Sequence, residues 1–99
     1  MKNKTCKAIL AQNLRNYQTE LIEVINENTL PDYRQDFLAA AKLMGVVQNE
    51  LLSEAPAQAF FLKSLKEEVE MLLSRTFLPT CKHGLSQSSY ALSELLDEC

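Results

Sequence analysis

Apolar positions recur along this chain at steps of three and four, the spacing that keeps side chains on one face of a helix. From Cys6 to Asn28 the stripe is Leu10, Leu14, Tyr17, Leu21 and Val24. Ile9, Ile22 and Ile25 widen it beyond a coiled-coil seam, and Glu20, Glu23 and Glu27 take up much of the remaining face. Tyr33, Phe37, Ala40, Met44, Val47 and Leu51 repeat the pattern up to Leu52. Leu62, Leu65, Val69 and Leu72 repeat it again, in a third helix ending near Phe77. Leu92, Leu95 and Leu96 mark a fourth and shorter one, of about twelve residues.

The breaks between these stretches have the chemistry of helix ends. Thr29-Leu30-Pro31-Asp32 reads as a start, with Thr29 as N-cap, proline in the first turn and a carboxylate among the unpaired N–H groups. Ser53 and Pro56 repeat the arrangement for the third helix. Pro79 predicts its end, and residues 79–86 read as a loop with Ser86 or Ser88 capping the last helix. Within the second helix, Ala41 and Gly45 lie four apart. A glycine there costs about 1 kcal/mol against alanine, which calls for a closely packed neighbour or a kink.

Short connections make consecutive helices antiparallel. The expected fold is therefore all-α, a single domain over residues 1–99: an antiparallel up-down bundle of three long helices and a shorter C-terminal fourth. Two glycines and three prolines are too few for many strands joined by tight turns.

Composition narrows the function classes. The net charge of −3 gives no general affinity for nucleic acid or anionic membrane, so no nucleic-acid partner is expected. Lys2, Lys4, Lys7 and Arg15 give the first fifteen residues +4, against −7 for the rest. That pattern suits a solvated terminus with salt-bridge partners. No run of about 18 apolar residues is present, so no membrane span is expected. The stretch after Lys2 and Lys4 is too short and polar for a signal peptide. Three scattered cysteines do not make a disulfide framework, and the localisation they suggest is cytoplasmic.

Cys6, Cys81, His83 and Cys99 are the right residue types for a zinc set. In the expected bundle, however, Cys6 and Cys81 stand roughly 30 Å apart, at opposite ends. No metal and no cofactor is expected. His83 followed by a serine-rich stretch loosely resembles the motif of histidine-phosphotransfer domains, but the lysine that should follow the histidine is missing. Arg75 and His83 resemble the Arg and His of HEPN-like helical ribonucleases, which stand about four to six residues apart and manage phosphate charge and a proton. Here the gap is seven residues and includes Pro79. That resemblance implies the alternative function, a ribonuclease using Arg75 and His83.

The leading expectation is not an enzyme. It is a protein–protein interaction module, such as a small regulator, inhibitor or chaperone, that acts through an exposed apolar helical surface and self-associates. Phe60, Phe61 and Leu62 are consecutive and span about 200° of a helix, so they cannot all face one core. A half-length fourth helix would leave the far end of the bundle open. Ile9, Leu51, Leu52, Phe60 and Phe61 crowd there as candidate partner-binding residues. A cleft that joins Arg75 to His83 would favour the enzyme, and an apolar surface around Phe61 the binder.

Overall fold

The computed structural model describes residues 4–28, 31–55 and 57–98. Among these the chain is four helices with no strand: α1 (Lys4–Asn28), α2 (Pro31–Leu52), α3 (Ala59–Arg75) and α4 (Pro79–Asp97). Thr29, Pro56 and Cys99, to which the sequence analysis gave roles, lie outside the described residues. Among the described residues, no helix is long and apolar enough to cross a membrane.

The helices alternate in direction. Lys7 at the start of α1 pairs with Glu98 just past α4, and Asp36 near the start of α2 pairs with Arg75 at the end of α3. The apolar stripes meet in one core, whose fully buried members include Leu14, Leu21, Met44, Val47, Leu62, Val69, Leu85 and Leu92.

The fourth helix differs from expectation. It has 19 residues, two more than α3, and the expected loop over 79–86 is its first half. Pro79 begins it, because a proline at the first helical position gives up only an N–H that has no partner there anyway. Leu78 is the N-cap, not Ser86 or Ser88. Ser88 is buried, and its hydroxyl donates to the Gly84 carbonyl at 2.9 Å. The cap of α3 is likewise Gln58, without a side-chain bond, while the Ser53 oxygen accepts the Ala55 N–H in a local turn.

Gly84 explains how α4 sits. A Cβ placed there would lie 2.6 Å from the Met44 sulfur and 3.2 Å from the Tyr17 Cβ. The bare glycine thus lets α4 press onto α1 and α2 together. As a result α2 and α4 approach closely across the bundle, while among the described residues the backbones of α1 and α3 stay apart. The cross-section is flattened accordingly, with overall extents of 39 × 24 × 18 Å. Gly45 does for α1 what Gly84 does for α4. The Gln18 amide fills the space beside it, donating to the Ala41 carbonyl and accepting from Gln48, both at 2.8 Å. The small residues of α2 therefore mark close packing within one uninterrupted helix.

Candidate functional site

Drawing α4 inward closes most seams and leaves one thin. Gln18 and Gln48 lock α1 to α2, but α2 and α3 make the sparsest contact of any touching pair. Between them runs a groove of about 550 Å³. Its floor is Leu43, Leu65 and Leu72, each nearly covered by its own neighbours, with the partly buried Ala39 and Val46 beside them. Phe61 and Met71 stand on the rim at 44% and 55% exposure. Lys42, Glu68 and Arg75 supply its charges. No histidine or cysteine lines it, so what it offers a ligand is apolar contact framed by opposite charges.

The outer surface of α3 extends this groove. Met71 is eleven positions on from Phe60, which brings the two within about 20° of each other around the helix. Phe60 is 80% exposed. Together Phe60, Phe61 and Met71 leave roughly 350 Å² of apolar surface in water, taking about 200 Å² per side chain. At the Arg75 end, Tyr33 stands edge-on to Phe77 with ring centroids 4.8 Å apart, over the buried Phe37. No local pattern in the sequence marks that aromatic group, because Phe77 meets Tyr33 only through the tertiary fold.

The five candidate partner-binding residues separate. Leu51 is 2% exposed and belongs to the core, because the full-length α4 brings Leu95 over the end that a half-length helix would have left bare. Leu52 is 62% exposed but lines a different hollow, with Lys7 and Ala8 of α1. Ile9 is exposed on α1 and does not line the groove. Phe61 lines the α2/α3 groove and Phe60 stands beside it. The sequence does contain a signal for the groove. Ala39, Leu43 and Val46 form a second apolar line beside the main stripe of α2, too wide for one core contact.

Arg75 and His83 point to different helices. The Arg75 guanidinium donates to Asp36 of α2 at 2.9 Å, while the His83 ring lies edge-on to Tyr17 of α1. His83 is on α4 rather than in a loop. Cys81 is buried in α4, and burial pushes its thiol above the ordinary value. The Thr76 hydroxyl lies close enough to offset this in part but makes no well-aligned hydrogen bond. Among the described residues, no group of three His, Cys, Asp or Glu side chains is placed to hold a metal ion. Lys7, expected to find a salt-bridge partner, donates to Glu98 at 2.8 Å and holds that carboxyl below its usual range.

Comparison of the chain with family models, with curated proteins and with solved structures gives no match.

Proposed function

We propose that this protein is a non-catalytic protein–protein interaction module, of the kind that serves as a small regulator, inhibitor or chaperone. Its docking surface is the α2/α3 groove. The observation that carries this reading is an open seam with a leucine floor, bordered by exposed Phe60, Phe61 and Met71. The largest apolar patch on a protein surface, typically about 300–600 Å², is often the functional one. A groove between two antiparallel helices suits the apolar face of a further helix, which would complete the seam as α4 completes the others.

The Met71→Glu variant tests this. Met71 is more than half exposed, so a carboxylate there stays hydrated and the fold is retained. The full chain, immobilised, is exposed to extract from its own cells, with Ile22→Glu on α1 as the control. The wild type and Ile22→Glu are expected to retain a protein chain that Met71→Glu loses. Retention unaffected by Met71→Glu would contradict the reading.

A further inference from the structure

We infer that the groove's occupant is a second copy of this chain, related by a two-fold axis that runs along the groove. This rests on the reading of the groove as a docking surface and adds its partner and geometry.

The Asp36–Arg75 ion pair at one end of the seam, and Glu50 and Phe61 lining one hollow at the other, give the register of α2 against α3. Six residues on from Asp36 is Lys42, and seven back from Arg75 is Glu68. At about 1.5 Å per residue the two come to about the same height. Both are exposed and both line the groove, Lys42 on the α2 wall and Glu68 on the α3 wall. Neither makes an ion pair or side-chain hydrogen bond with any described residue. The groove thus carries one hydrated charge of each sign, outside any ion pair among the described residues, at about the same height on opposite walls of an apolar floor.

A two-fold axis along the groove exchanges the walls and preserves the height. It lays the α3 wall of each chain over the α2 wall of the other. Lys42 of one copy then meets Glu68 of its partner, and the reverse pair forms at the same time. The same operation brings Phe61 to the level of the turn after Val46 in the second chain, and Met71 to the level of Ala39. A two-fold axis across the groove at this height would instead set lysine on lysine and glutamate on glutamate. The charges therefore select both the occupant and the direction of the axis. A foreign helix would need an acid and a base at one level on opposite flanks, which a second copy supplies by symmetry.

The three exposed apolar side chains supply less than half of the roughly 800 Å² per partner that a standard interface buries in all, so the dimer belongs with the weak, transient ones. Sedimentation equilibrium of the full chain at low salt measures it for the wild type, Lys42→Glu, Glu68→Lys and the double exchange. Both positions are exposed, so circular dichroism should show unchanged helix content in all four. Each single exchange turns two attractive pairs into two repulsive ones and should raise Kd about tenfold or more. The double exchange restores both pairs in reversed sense and should return Kd to within about threefold of the wild type. A wild type that stays monomeric to about 1 mM would overturn the inference, as would single exchanges that dimerise like the wild type. If the chain is monomeric while Met71→Glu still loses a captured foreign protein, only the second-copy inference falls. If Met71→Glu also changes nothing in capture, the docking reading falls with it.

Discussion

Leu51→Glu is expected to destabilise the protein by about 4 kcal/mol or more, while Leu52→Glu next to it should change stability by only about 0.5 kcal/mol. The contrast comes from the length of α4. Leu51 is 2% exposed and lies in the single core cluster. A carboxylate there loses the leucine's burial and must either stay charged without water or take up a proton. Leu52 is 62% exposed, and a glutamate in its place keeps its hydration shell. Against a total stability of about 5–15 kcal/mol the first substitution approaches unfolding. For a chain of this size, 4 kcal/mol corresponds to a fall in Tm of roughly 15–30 °C. Thermal denaturation followed by circular dichroism measures both. Equal tolerance at the two positions would mean that this end of the bundle is open, as a half-length fourth helix would leave it.

Gly84→Val should cost about 3 kcal/mol or more. A side chain here collides with Met44, which is fully buried, and crowds the Tyr17 Cβ on the other flank. Methionine is flexible, but its tip is enclosed by the core and has little room to yield. Gly84→Ala should lose less, about 1 kcal/mol, because the gain in helix propensity offsets part of the clash. The contact also predicts coupling. Met44→Ala alone opens a cavity and should cost about 2–5 kcal/mol, but in the Gly84→Val background the valine fills part of that space. The two effects should then fall short of additivity by about 1–2 kcal/mol in a double-mutant cycle read by urea denaturation. Strict additivity would mean that α4 does not rest on Met44.

These two positions also show what the sequence reveals and what it hides. The stripes of α1 to α3 are legible because burial repeats with the helical period: Leu14 and Leu21, Phe37 and Met44, Leu62 and Val69 all lie in the core. The first half of α4 was not legible, for two local reasons. Pro79 and Gly84 are both residues that ordinarily interrupt a helix. Here the proline occupies the one place in a helix where it fits, and the glycine is kept by a contact with residues 40 and 67 positions away. Cys81, Leu85, Ser88, Leu92 and Leu95 do follow the 4, 3, 4, 3 spacing, but a thiol and a hydroxyl conceal the stripe. The groove was half legible. The run from Phe60 to Leu62 implies exposed aromatic surface, and the structure exposes Phe60 and Phe61 while burying Leu62. Which seam they border depends on how closely α4 approaches α2, a tertiary property that no local pattern records. Leu51 lies in the core rather than on an open end because α4 begins at Pro79 and runs the length of the bundle.

The most direct measurement of the central claim, docking through the α2/α3 groove, is site-specific photo-crosslinking. A benzophenone side chain replaces Met71 on the groove rim in one protein and Ile22 on α1 in another, both positions being exposed. Each is irradiated in extract of the cells the protein comes from. Docking through the groove predicts covalent adducts to a protein chain from position 71, absent from position 22 and suppressed by excess unlabelled wild type. Adducts of equal yield at both positions, or none at position 71, would contradict it.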